Sequence, residues 1–317
     1  MSTTASGGVR PRRGAGDLAA ASPVTAAVLG ALAIAFSAIL VRLAATSPVT
    51  AAVFRCAYAL PPLALLAVLE TRRFGRRTRR EHLLAFGAGA FFAVDLVSWH
   101  YSIEFVGAGL ATVLANLQVV IVALVAWLML GERPTPRVLV AVPVVLVGVV
   151  LISGVVGAGA YGENPGLGVL YASVTAVAYS GFILVLRQSS RDIGRPAGPL
   201  FDATLAATVV AVPAGLAIGD LDLLPGWPAQ GWLVTLALTS QVLGWLLIST
   251  SLPRLPASLT GVLLTIQPVG SVILGVALLA EAPSAFQLAG VAVIVGGIAL
   301  AASRRGERPA APAGGPA

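Results

Sequence analysis

"AGLATVLANLQVVIVALVAWLMLGERP", residues 108–134, returns at 257–283 as "ASLTGVLLTIQPVGSVILGVALLAEAP". Residues 108–153 align without gaps to 257–302 at an offset of 149, with roughly a third of positions identical. Coincidences of Leu and Val carry little information in so apolar a chain. The weight falls on Gln118/Gln267, Glu132/Glu281, Pro134/Pro283 and Gly148/Gly297. Pro48 and Pro62 independently match Pro199 and Pro213, each at an offset of 151. The chain therefore reads as two halves built on one pattern.

Composition identifies the solvent those halves fold in. Of 317 residues, 57% are hydrophobic and 10% charged, and the mean hydropathy is +0.93. A water-soluble domain is roughly 45–50% apolar and about 25% charged. With 35 Gly and 21 Pro spread through apolar runs, the chain reads as an all-α integral membrane protein. All 20 basic residues are Arg. They lie in short loops and tails rather than along one helical face, so the net charge of +7 is a topology signal and no nucleic acid partner is expected. Cys56 is the single cysteine, which excludes an internal disulfide and a CxxC metal site.

Ten runs approach the roughly 20 apolar residues a bilayer-spanning helix needs: 24–45, 49–70, 83–102, 108–130, 137–156, 167–187, 200–219, 231–252, 257–280 and 285–302. Backbone groups cannot stay unpaired in lipid, so each run is expected to be a helix. Eighteen of the 20 arginines fall before span 1, after span 10 or in alternate loops, with six of them in "TRRFGRRTRREH" at 71–82. The other loops hold Glu104, Glu163, Asp220 and Asp222. Positive charge stays cytoplasmic, so both termini are expected inside, at the cell inner (plasma) membrane. Five spans per half is odd, so the second half enters the membrane from the opposite face. The loop after span 1 carries no Arg, and its counterpart after span 6 carries three. Inverted repeats with breaker residues at matching positions point to a secondary transporter with a midplane site.

Several stretches resemble one known family. They are "FSAILVRLA" (36–44), "FRCAYAL" (54–60), "DLVSWHYSIEFVGAGLATVLANLQVVIVALVAWLMLGERP" (95–134) and "PASLTGVLLTIQPVGSVILGVALLAEAP" (256–283). These are similar to the EamA-type transporters of the drug/metabolite transporter superfamily, over almost all of residues 24–303. The resemblance implies ten helices as two inverted five-helix repeats, and export of small metabolites or drugs. The expected organisation is a disordered cytoplasmic tail (1–23), a first repeat (24–156), an inverted second repeat (167–303) and a disordered cytoplasmic tail (304–317). Span 1 departs from the related small multidrug pumps in lacking a first-helix acid, which argues against cation/proton antiport by that route.

Polar residues inside the spans are the candidate site. Asp95 lies twelve residues into span 3, about 18 Å deep at 1.5 Å per residue. A carboxylate there costs ~2.5–3.5 kcal/mol on the insertion scale, so it should be paired, protonated or hydrated. Arg55, early in span 2, is the expected ion-pair partner, as a structural bridge or as a gating pair. Gln118, Gln241 and Gln267 each lie about ten residues from their span starts, about 15 Å deep and at the midplane. Asn116 is half a helical turn from Gln118, so only one of the two is expected to face a shared cavity fully. Trp99 is the aromatic expected to line a vestibule. His100, near the outer end of span 3, is expected as an interfacial hydrogen-bonding group; its ordinary pKa keeps proton transfer with Asp95 open. His82 is expected to be solvated, and Asp202 to sit favourably at a helix N-terminus. Glu132 and Glu281 are expected as turn and interface residues.

No HExxH, paired-Asp or GxSxG constellation is present, so no enzyme activity, metal or cofactor is expected. No Walker motif is present either, which leaves an ion gradient or the substrate's own gradient as the energy source. The reading is a secondary-active exporter of a small metabolite, such as an amino acid, or of a drug-like compound. Its partners are a small-molecule substrate and the lipid bilayer, with proton coupling and a homodimer left open. The alternatives are a non-transporting membrane scaffold, a lipid flippase, or a membrane-embedded enzyme.

Overall fold

The computed structural model describes residues 22–131, 133–189, 194–251, 254–255, 263 and 265–302, with the backbone only at 129–130. Both tails, Glu132, Arg191 and most of 256–264 lie outside the described residues, so the expectations placed on them are not met or refused here. Every regular element among the described residues is helical. In chain order they are α1 (Pro23–Ala35), α2 (Ser37–Ala44), α3 (Pro48–Phe74), α4 (Arg79–Val106), α5 (Ala108–Ala115), α6 (Gln118–Leu130) and α7 (Pro136–Ile152). Then follow α8 (Pro165–Ser189), α9 (Ala197–Ile218), α10 (Ala229–Leu236), a π-helical stretch (Ala237–Gly244), α11 (Trp245–Ser251), α12 (Ile266–Leu279) and α13 (Ala285–Ala302).

Local chemistry explains many of the boundaries. Pro23, Pro48, Pro136 and Pro165 open their helices, where a missing N–H costs nothing and φ is already helical. Ser47 caps α3 by accepting from Thr50 N at 3.2 Å. Thr78 and Glu81 form a reciprocal capping box on α4. Among the described residues, eight helical segments are long and apolar enough to cross a membrane, and Pro136–Ile152 and Ile266–Leu279 are shorter apolar helices. The surface is inverted relative to a water-soluble protein: Leu65, Leu83 and Leu128 are exposed, while Arg55, Asp95 and Gln241 are buried. That arrangement suits a lipid environment, in which apolar side chains face outward and polar ones must find partners inside.

The helices bind across the two halves more than within them. α4 packs on α8, and α1 packs on the π stretch and α11; α9 packs on α3 and α4; α12 packs on α5, and α13 on α7. Small residues permit this closeness. Ala27, Ala31 and Ala35 on α1 and Ala172, Ala176 and Ser180 on α8 are all buried. The turns gather at two ends. At one, Ser47 Oγ donates to Asp220 O, Tyr101 Oη donates to Asp220 Oδ2 at 2.7 Å, and Asn164 N donates to Phe105 O at 3.2 Å. At the other, Arg195 reaches the carbonyls of Phe74 and Gly75, and Glu70 accepts from Ala197 N and Gly198 N, both at 2.8 Å. The first is called the Glu281 end and the second the Arg77 end below.

Midway between the ends, helices expected to be continuous are interrupted. The chain breaks between α1 and α2 at Phe36, and between α5 and α6 at Asn116–Leu117. It widens to a π-helix at 237–244 and turns at Thr265 immediately before α12. Residues 116 and 265 are repeat mates. So are Gly131 and Ala280, which end α6 and α12 in the left-handed conformation with φ of 70° and 53°. Each of these two helices thus starts after a turn and stops at the same repeat position.

Candidate functional site

The interruptions surround a cavity of about 70 Å³. Arg55 (α3), Asp95 and Trp99 (α4), Asn116, Gln118 (α6) and Gln267 (α12) all line it. Six residues singled out from sequence therefore meet at one place. Asn116 and Gln118 both reach the cavity, against the half-turn argument, because the helix is broken between them. Asn116 Nδ2 donates to Thr112 O at 2.8 Å, and this local bond holds the interruption in place. A second space of about 50 Å³ shares Asn116, Gln118, Tyr179, Trp245 and Gln267 and adds Ala31, Val119 and Ile248. Those added residues lie toward the Arg77 end of their helices, so the cavity continues in that direction. Toward the Glu281 end it is closed by buried Val41, Trp99, Ile103, Val106, Leu110 and Leu114.

Gln241 corrects the expected polar layer. It is fully buried and does not line the cavity; it accepts from Arg55 Nε at 3.0 Å and donates to Thr204 Oγ1 at 3.3 Å. The π-helical stretch turns Gln241 toward α3 and α9, which a regular helix drawn from sequence does not anticipate. The ion pair expected between Asp95 and Arg55 is also absent: among the described residues the side-chain ion pairs are Arg77–Asp202 and His82–Asp202. Arg55 is instead oriented by Gln241 on one side and by the face of Trp99, 5.6 Å from its guanidinium carbon, on the other. Its Nη1 is buried without a protein partner, as is Oε1 of Gln118. Arg55 and Asp95 thus bring a guanidinium and a carboxyl group to one cavity with no ion pair between them.

Other expectations change with packing. His100 is 1% exposed, and its Nδ1 lies 3.2 Å from Pro48 O. It is a buried brace between α4 and the start of α3 rather than an interfacial group, and it is not among the cavity residues. His82 is exposed, as expected, and its Nδ1 also lies 2.7 Å from Asp202 Oδ2. Asp202 is buried between Arg77 and His82; the amides that open α9 are capped by Glu70 instead. Trp245 and Tyr179 are not among the sequence candidates, yet both line the cavity. They belong to an aromatic wall in which Phe92 and Phe182 stack at 4.6 Å and Trp245 meets Phe182 edge-on at 5.5 Å. Tyr179 sits mid-span, which was the available signal.

The EamA-like transporter family model matches the chain twice, over residues 21–154 and 166–303. The chain belongs to the EamA-like transporter family. It is accordingly a multi-pass membrane protein of a family whose members are generally transporters. No curated protein matches. A solved structure described as "Crystal structure of protein" is similar at 19% identity with a TM-score of 0.60, covering 89% of this chain and 97% of that one. At that identity the likeness concerns the fold alone. This EamA-like chain shares that architecture.

Proposed function

We propose that this EamA-like protein is a ten-helix secondary carrier of the cell inner (plasma) membrane, exporting a small metabolite or drug-like compound by alternating access. The observation that carries the reading is the cavity in which Arg55 and Asp95 stand unpaired with each other between Trp99, Tyr179 and Trp245. A guanidinium and a carboxyl group beside aromatic faces suit a small solute with a carboxylate, an amine and an apolar part, such as an amino acid. The two short apolar helices, Pro136–Ile152 and Ile266–Leu279, complete ten spans. Exchanging the two sets of five maps the main contacts between the halves onto one another, α4–α8 onto α1 with the π stretch and α11, and α4–α9 onto α3 with the π stretch, which supports an inverted repeat. The Arg77 end is taken as cytoplasmic from its arginines, and the cavity's extension toward it makes this an inward-leading state.

Asp95 is the acid available for proton coupling, since His100 stands away from the cavity. The test uses inside-out vesicles holding a pH-sensitive dye under an imposed proton gradient, challenged with amino acids, nucleosides and lipophilic cations. A solute-dependent proton flux, lost in Asp95→Asn at equal protein level, is the expected result. Flux retained in Asp95→Asn removes Asp95 from coupling. No solute movement by either dye or radiolabelled counterflow rejects the carrier.

A further inference from the structure

The sequence places Glu281 at the end of an apolar helix, where an acid ordinarily meets solvent. It is instead 3% exposed. Its Oε1 accepts from Ala108 N at 2.5 Å and its Oε2 from Gly109 N at 3.0 Å. These are the first amides of α5, so a carboxylate of the second half seats on the positive end of a helix of the first. The seat is built for it. A Cβ on Gly107 would lie 2.9 Å from Oε1 and one on Gly109 3.2 Å from Oε2, and one on Gly275 would collide with Oε2 outright. Ala280 adopts φ of 53°, and the amides of Ala280 and Glu281 both turn back to Gly275 O. That turn folds Glu281 under its own helix and onto α5.

The two elements so joined are also cavity elements. Thr112 and Ala115 of α5 and Gln267 of α12 line the cavity. α5 is a lever of eight residues bounded by Gly107, with φ of 90°, and by the break at Asn116–Leu117. Both ends are points where backbone angles can change without melting the helix. We propose that Glu281 is a latch: its carboxylate on the amides of Ala108 and Gly109 holds the cavity shut toward the Glu281 end, and it leaves that seat when the cavity opens there. Tyr161 lies over the same seat, against Gly107, and is fixed by its amide donating to Gln287 Oε1 at 2.8 Å. The linker between the halves therefore packs beside the latch.

The latch rests on the carrier reading, but its test needs no substrate. In a Cys56→Ala background, Ala115→Cys puts one thiol in the cavity, and a membrane-impermeant thiol reagent is applied from each face of vesicles. With Glu281 intact, reaction from the Arg77 end is expected to be at least about tenfold faster than from the Glu281 end. Glu281→Gln keeps the shape and removes the charge. Gly275→Ala keeps the charge and expels the carboxylate by its methyl group, and it strengthens α12 locally. Each is expected to raise the rate from the Glu281 end at least about tenfold. Unchanged rates in both variants, with both monodisperse by gel filtration, overturn the latch. Loss of folded protein in both also overturns it, assigning Glu281 to structure alone. If only Glu281→Gln fails to fold, Gly275→Ala decides. Opening of the Glu281 end in a protein that moves no solute would leave the latch standing and reject the carrier.

Discussion

Replacing Gln241 by Leu should expose how strongly this fold depends on one hydrogen bond. Arg55 and Gln241 are 3% and 0% exposed, and the bond from Nε to Oε1 is 3.0 Å. Interhelical hydrogen bonds in membranes average only ~0.6 kcal/mol, because the unfolded chain in the membrane finds other partners. A bond from a charged donor contributes about 1.5–3 kcal/mol. Here the donor is a guanidinium whose Nη1 already lacks a protein partner, so loss of the Nε bond strands the group further. Gln241→Leu also loses the contact to Thr204, so the single variant alone is not diagnostic. A double-mutant cycle with Arg55→Met cancels that contribution. Stability would be read from reversible SDS unfolding in mixed micelles, followed by tryptophan fluorescence. The expected coupling is about 1.5–3 kcal/mol, with the double variant more stable than the sum of the singles implies. A coupling at or below ~0.6 kcal/mol would refute the argument and reduce Gln241 to one packing residue among many.

Two further outcomes follow from backbone geometry. Gly148→Val should destabilise by about 1–3 kcal/mol, as overpacking does, because even a Cβ would lie 2.5 Å from Ile294 Cγ1 and 2.9 Å from Gly290 O; a lower thermal midpoint in detergent is the check, and an unchanged midpoint would mean α7 and α13 are not tightly apposed. Ala280→Gly should stabilise by up to about 1 kcal/mol, since an L-residue pays about 1–2 kcal/mol in the left-handed region while glycine returns part of that as unfolded-chain entropy; a fall in midpoint would contradict the turn at 280.

The candidate site was legible as far as depth is legible. Asp95, Gln118 and Gln267 were found because a polar atom in the middle of an apolar run is costly and must have a reason. Trp99 followed from its position one helical turn from Asp95. The pairing of those atoms was not legible. Arg55 was matched to Asp95 by charge, yet it bonds Gln241, because the π-helical stretch carries Gln241 inward and no periodicity in "ALTSQVLG" announces a widened turn. The same holds for Asn116: a regular helix separates it from Gln118 by half a turn, and only the break brings both to the cavity.

What the sequence determined by itself is the membrane environment, the doubling of the chain and the level at which polar groups lie. These depend on quantities summed along the chain, namely transfer free energy and its period, and such sums survive ignorance of neighbours. What only the tertiary structure decided is which buried donor meets which acceptor: Arg55 with Gln241, Glu70 with the start of α9, and Glu281 with the start of α5. Each of those bonds joins residues more than a hundred positions apart, and its direction is set within a few tenths of an ångström by glycines, breaks and left-handed turns. The cost of leaving a polar atom unpaired in lipid requires that some partner be found. Close packing of the two halves selects the partner.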